Sequence, residues 1–359
     1  MFEVSGVTDT SKVTVDGTTV TFGAGSLGEA DASLNAKDGN TYTLVLDSSY
    51  KAPATAEAGF DGNTYKAAST SAGWTQDGTK VTYSAASGGE AMFEVSGVSD
   101  TSKVTLSGTE VTFGAGSLGE ADASLIAKDG KTYTLKLDES YKAPATTPEG
   151  FDGNTYKSAY TSAGYTQDGT TVKYSAATGG EAMFEVSGVA DTAQIRLNGT
   201  TVTFGNGALG KENASLTAKD GKTHTIAALD TSTYPEPQTT LAHFDTDNLG
   251  AYKSTHVSEG WTLKGTNITY TPESGNETLF TLTGIKSTSG IGVSNDKVIT
   301  LKASNLNKTN VTVDSTDYTL ALSGVSKPTE STPAGFEGNT YKSAVLTEGY
   351  ESDGKQTIT

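Results

Sequence analysis

The residues that could do chemistry in this chain come in sets. Val20-Thr-Phe-Gly-Ala-Gly-Ser-Leu-Gly28 satisfies the G-x-G-x-x-G spacing of a dinucleotide-binding turn, whose glycines let backbone N–H groups approach a pyrophosphate. Trp74, Tyr165, Trp261 and Tyr350 each follow a glycine and would serve as stacking platforms for sugar. The pairs Tyr65-Lys66, Tyr156-Lys157, Tyr252-Lys253 and Tyr341-Lys342 place a lysine where an amide crosslink to an Asn or Asp side chain is chemically open. All the histidines, His224, His243 and His256, fall in one stretch of sequence. Beside them Asp245-Thr-Asp-Asn-Leu-Gly250 begins like a calcium loop, with Asp245 and Asp247 as its first ligands.

Each set has a plainer explanation. A nucleotide turn needs a parallel βαβ unit with a helix starting inside the glycine motif. The residues after Gly28 are too few and too turn-rich for that helix. The motif returns as Gly114-Ala-Gly-Ser-Leu-Gly119 and Gly205-Asn-Gly-Ala-Leu-Gly210, but the fourth counterpart is Lys302-Ala-Ser-Asn-Leu-Asn307. A phosphate cradle does not survive the loss of every glycine, whereas a tight turn hung on one buried leucine does. No cofactor is expected. The aromatics read as core anchors and the lysines as exposed strand residues. A calcium loop also needs a bidentate acid at its twelfth position, which here is His256, so a plain Asp-rich turn competes with calcium at Asp245 and Asp247. The first two copies of the sequence hold no histidine, and near-identical tandem units are an odd way to build one cleft. The chain is not expected to be an enzyme.

Composition sets the elements that must carry these residues. The 359 residues include 42 glycines, no cysteine and only 34% apolar residues. Abundant Thr and Val with scarce Leu describe an all-β protein rich in turns. A net charge of −17 argues against nucleic acid and anionic lipid as partners. No stretch approaches the length of a membrane span, so no membrane insertion is expected, and no signal peptide opens the chain.

The sequence is four copies of one unit. Met1-Phe-Glu-Val-Ser-Gly-Val7 returns at Met92, at Met183 and as Leu279-Phe-Thr-Leu-Thr-Gly-Ile285. The first two copies share a period of 91 residues and differ at 17 positions. The third is more diverged, with a small insertion near Phe244 to Gly250. Because Met1 matches internal Met92 and Met183, it reads as a fragment start, with both ends cutting through the repeat. Within strands the differences alternate: Tyr42, Leu44 and Leu46 recur as Tyr133, Leu135 and Leu137, while Val45 becomes Lys136. Period-2 tolerance marks a strand with one buried and one wet face. Asp16-Gly17, Asp38-Gly39 and Asp77-Gly78 suit tight hairpins.

The expected fold is therefore all-β, a tandem array of small antiparallel β-sandwich (Ig-like) repeats of about 91 residues. A solenoid with one coil per repeat ranks second, since it needs a shorter period. With the Pro-containing stretch Asp47 to Gly59 and its equivalents as linkers, complete domains run 60–149, 150–242 and 243–335. Residues 1–59 and 336–359 are then two parts of one domain.

Phe-x-Val-Ser-Gly-Val, then Val-Thr-Phe-Gly-Ala-Gly-Ser-Leu-Gly, Thr-Tyr-Thr-Leu, Thr-Ser-Ala-Gly-Tyr-Thr and Val-Lys-Tyr-Ser-Ala-Ala follow one another in an order that resembles the tandem units of large bacterial β-strand-repeat surface proteins. The resemblance spans the chain and implies a secreted or cell-surface stalk, adhesin or matrix protein. It carries over no catalytic or ligand residue. The leading expectation is a structural rod or filament outside the cell, its partners neighbouring repeats or further copies of itself, joined by strand addition. The alternative is an adhesin for a glycan or host surface, using positions that vary between copies, such as Ser69 against Tyr160 and Asn35 against Ile126.

Overall fold

Thr and Val fill the segments that become strands, because β-branched side chains suit a pleated surface better than a helix. The computed structural model describes residues 1–324, 327–328 and 330–359. In the fourth Pro-containing stretch, Val325, Ser326 and Thr329 lie outside the described residues. The chain is 48% strand and 3% helix. It includes short 3-10 turns such as Thr101–Lys103, where the Asp100 side chain accepts the Ser102 amide. The residues group into two compact units, Met1–Glu149 with Ala159–Gly180 and Gly150–Ser158 with Glu181–Thr359.

In the first unit, strand Ala91–Ser96 lies inside a six-stranded antiparallel sheet. On one side it pairs with Ala123–Ala127, Val95 opposite Leu125, and Thr171–Ser175 and Gly164–Asp168 follow. On its other side it pairs with Thr64–Lys66, Phe93 opposite Tyr65, and that strand pairs with Gly59–Asp61. A second sheet holds Val104–Ser107, Glu110–Phe113 and Thr134–Leu137. Its first two strands form a hairpin at Ser107-Gly108, the second copy's counterpart of the hairpin expected at Asp16-Gly17, with Ser107 opposite Glu110. Its third runs parallel to the second, Val111 beside Leu135. Side chains from both sheets make one core, in which Phe93, Val111, Phe113 and Val172 are fully buried.

The same pattern recurs around Val20, Phe22, Leu34 and Leu44 in the first unit. In the second unit it recurs around Phe184 and Val202, and again around Phe280, Ile299 and Leu301. Each core takes residues from both sides of a Pro-containing stretch: the first joins Val20–Leu44 to Trp74 and Val81. Alternation follows the sequence, with Leu44 at 1% exposure and its neighbour Val45 at 38%.

The tandem antiparallel sandwich is corrected by the structure. The chain is a β-solenoid of about 13 turns, not a string of Ig-like domains. Two features of the pairing account for the difference. Asp38-Gly39 does not close a hairpin: Ala32–Ala36 pairs with Phe2–Ser5, whereas Thr43–Leu46 crosses to the other sheet and runs parallel to Thr19–Phe22. Asp38 braces that crossing, accepting the Asn40 amide at 3.2 Å and the Tyr42 hydroxyl at 2.7 Å. In addition, Ala123–Ala127 hydrogen-bonds to Thr171–Ser175 on the far side of the Pro-containing stretch Asp138 to Gly150, whereas a closed sandwich keeps its strands to itself. The 91-residue period misleads because several turns fall within each copy, so the period is not the length of one coil.

Candidate functional site

The glycine motif sits where Glu110–Phe113 leaves its sheet and turns towards Ala123–Ala127. Val98 bridges Leu118 across this turn, and the buried Leu118 anchors it in the core. What closes the turn is a tyrosine that sequence reasoning left inside a linker. The Tyr141 hydroxyl donates to the Gly114 carbonyl at 2.9 Å and accepts the Leu118 amide at 3.0 Å. Tyr50 does the same for Gly23 and Leu27, both at 2.9 Å. Tyr234 serves Gly205 at 2.7 Å and Leu209 at 3.2 Å. A single phenol thus satisfies the carbonyl and the amide that a phosphate would otherwise compete for. Its signal in the sequence was a tyrosine recurring in an otherwise polar, Pro-containing stretch.

The aromatics that follow a glycine complete this clamp. Trp74 meets Tyr50 edge-on with centroids 5.1 Å apart, Tyr165 meets Tyr141 at 4.9 Å, and Trp261 meets Tyr234 at 5.4 Å. Tyr165 also donates to the Gly119 carbonyl at 2.8 Å, and Tyr350 to the Asn307 carbonyl at 2.9 Å. These rings pack against the turn and not outward as sugar platforms.

The lysines of the Tyr-Lys pairs are ion-paired across their hairpins. Lys66 lies 2.6 Å from Asp61, Lys157 2.6 Å from Asp152 and Lys253 4.0 Å from Asp245, while Lys342 contacts Glu337. Amide formation needs a neutral amine and a protonated carboxyl. The hydrogen bond from Lys66 holds the Asp61 carboxyl below its usual range, which is the opposite direction. Both side chains are open to solvent, at 44% and 73% exposure.

The histidines bond separately. His224 is buried with Nε2 at 3.1 Å from both Asp220 oxygens, in the place where Tyr133 donates to Asp129 at 2.8 Å. Burial, with Asp129 beside it, pushes the Tyr133 phenol up to about 12, so it stays protonated as the donor. Histidine at 224 therefore substitutes for a structural tyrosine. His243 Nδ1 lies 2.9 Å from the Leu241 carbonyl, and His256 Nδ1 lies 3.1 Å from that of Ser274.

Asp245 and Asp247 adjoin in an Asx turn, the Asp247 amide donating to the Asp245 carboxylate at 2.9 Å. That carboxylate also faces the Lys253 ammonium. Among the described residues, no group of three His, Cys, Asp or Glu side chains is placed to hold a metal ion. Adding a chelator is therefore expected to leave the thermal melting midpoint unchanged. A downward shift in EDTA, reversed by calcium but not by magnesium, would assign Asp245 and Asp247 to a calcium site after all.

Comparison with protein-family models, with curated proteins and with solved structures found no match.

Proposed function

We propose that the chain is a structural repeat protein of the bacterial cell surface or extracellular matrix, an extended scaffold and not a catalyst. The observation that carries this reading is the strand handed from one copy to the next. Thr64–Lys66 pairs with Ala91–Ser96, Thr155–Lys157 with Ala182–Ser187, and Ala251–Lys253 with Thr278–Thr283. Each pairing continues a sheet through a copy boundary, so that neighbouring copies stabilise one another by backbone hydrogen bonds. The residues that first suggested chemistry support the same reading, because the glycine turns have their backbone groups taken up by Tyr50, Tyr141 and Tyr234. An acidic surface keeps such an array soluble, and a chain without cysteine is indifferent to the redox state outside the cell. The adhesin reading draws on Ile126 and Tyr160, which vary between copies and are 55% and 41% exposed.

Small-angle scattering from a dilute solution tests the scaffold. The expected profile is that of a particle much longer than it is wide; a globular profile would overturn the proposal.

A further inference from the structure

Six asparagines stand in the order Asn-x-Ser/Thr, the acceptor pattern for N-linked sugar: Asn198, Asn213, Asn267, Asn276, Asn307 and Asn310. All lie in the third and fourth copies; no asparagine of the first two copies has a hydroxyl residue two places on.

The pattern is short, and the fold sorts its occurrences by what each side chain already does. The Asn213 oxygen accepts the Tyr270 amide at 2.9 Å, as Asp31 and Asp122 accept the amides of Tyr83 and Tyr174, and the Ser215 hydroxyl lies 2.6 Å from that of Ser187. Asn213 is thus a brace between strands. Asn267 sits inside a strand paired on both sides, with Lys264 and with Ser215. The Asn307 oxygen accepts the Lys308 amide at 3.0 Å. Beyond Asn310, the Thr312 hydroxyl is held 2.6 Å from that of Thr283.

Asn198 and Asn276 are left. Asn198 is exposed and ends the strand Ile195–Asn198 at the turn Gly199-Thr200, where a Cβ on Gly199 would meet nothing. Asn276 is exposed in the irregular connection between Asn267–Thr271 and Thr278–Thr283. Among the described residues, neither of these side-chain amides takes part in a hydrogen bond, nor do the exposed hydroxyls of Thr200 and Thr278. Asn276 carries a second mark. Its backbone is left-handed, with φ of 72°, where the first two copies have Gly89 and Gly180. Lys297 is the other non-glycine residue in that conformation among those described, and a side chain there is strained. Thr278 likewise stands where the earlier copies have Ala91 and Ala182. Two changes at one bend, one of them strained, create an acceptor pair that the fold itself does not use.

We propose that Asn198 and Asn276 are sites of N-linked glycosylation. The inference rests on the scaffold reading and adds what its surface carries. The donor is a sugar activated at its anomeric carbon as a pyrophosphate ester. The asparagine amide nitrogen bonds to that carbon, and the carbon–oxygen bond to the pyrophosphate breaks. The carrier leaves with that electron pair, and a base of the transferase takes the amide proton. The threonine hydroxyl two residues on is the element the transferase reads. The attached sugar is bulky, hydrated and solubilising, and both positions lie clear of the core.

Glycopeptide mass spectrometry of protein recovered from its own cells, with fragmentation that keeps sugar on its residue, tests the proposal. The expected result is a hexose-series mass on Asn198 and on Asn276, with Asn213 bare. Thr200→Ala and Thr278→Ala, both at exposed hydroxyls, should each strip the sugar from their own asparagine and leave the other occupied. Thr200→Ser and Thr278→Ser should keep it. That dependence on the hydroxyl separates enzymatic transfer from chemical glycation. Asn198 or Asn276 found bare, sugar on Asn213, or sugar that survives the alanine substitutions would each overturn the assignment. Bare asparagines in a chain that scatters as an elongated particle would do so while leaving the scaffold reading intact.

Discussion

Replacing Tyr141 with phenylalanine is expected to destabilise its part of the chain by about 2–4 kcal/mol, for the loss of one oxygen atom. The ring can stay where it is, against Tyr165 and the core. What disappears is the donor to the Gly114 carbonyl and the acceptor for the Leu118 amide. Both backbone groups belong to a turn pressed against a core in which Ser117 is fully buried and Leu118 is 6% exposed. Water cannot easily replace the phenol there, so each group left unpaired adds a desolvation penalty of about 1–3 kcal/mol. Denaturant unfolding measures the total, and hydrogen exchange locates it: the Leu118 amide should lose protection first. Tyr160→Phe, on the surface at 41% exposure, serves as the control and should stay within about 0.5 kcal/mol of the original. Equal stabilities for the two variants would show that the clamp does not hold the turn.

The turn of the fourth copy is braced by other residues. Its counterpart of Tyr50, Tyr141 and Tyr234 is Ser326 in the sequence, and its counterpart of Ser26 and Ser117 is Asn305. Asn305 is fully buried and ties the turn from within. Its side-chain oxygen accepts the Lys302 amide at 2.9 Å, and its nitrogen donates to the Ser287 and Ser289 carbonyls at 3.0 and 2.8 Å. Asn305 serves a different set of groups from the tyrosine, since the Leu306 amide, counterpart of Leu118, goes to the Ala303 carbonyl at 3.4 Å.

That exchange also marks how far the sequence was legible. Repeats, strand alternation and the Ser107-Gly108 hairpin are local, so residue type and spacing reveal them. Leu44, Leu135 and Val172 fall in the core as their alternation requires. Sheet membership is not local. Asp38-Gly39 carries the same turn signal whether the chain folds back or crosses over, and only the pairing of Val20 with Leu44 distinguishes the two. The sandwich expectation failed at that point, because a half-buried strand alternates alike in parallel and antiparallel company. Tyr141 was hidden for a related reason: its partners lie 23 and 27 residues away, in a turn that needed no tyrosine to be recognised as a turn.

Gly97→Ala is expected to be the more damaging substitution, at about 4 kcal/mol or more, and its comparison with Gly108→Ala separates two causes. Both glycines have left-handed backbones, with φ of 69° and 62°. An alanine at either position carries that strain, about 1–2 kcal/mol. Gly108 stands in open space, so the strain is the whole effect there. At Gly97 a Cβ would overlap the Asp122 carbonyl oxygen and lie 3.0 Å from the Ala123 Cα. That backbone cannot retreat cheaply. The Asp122 side chain accepts the Tyr174 amide at 2.9 Å, and the next residues are paired with Val172 and Thr171 in the sheet. Relief of the overlap would have to pull Ala123–Ala127 away from Ala91–Ser96 or break its bond to the neighbouring strand. The same close approach recurs at Gly6, Gly188 and Gly284, which face Asp31, Asn213 and Asn310. In thermal and denaturant unfolding, Gly97→Ala should therefore lose at least twice what Gly108→Ala loses, with exchange protection falling across 92–96 and 123–127. Similar losses at the two positions would mean that backbone strain alone, and not the packing of one strand onto the next, fixes glycine at the exit of this strand.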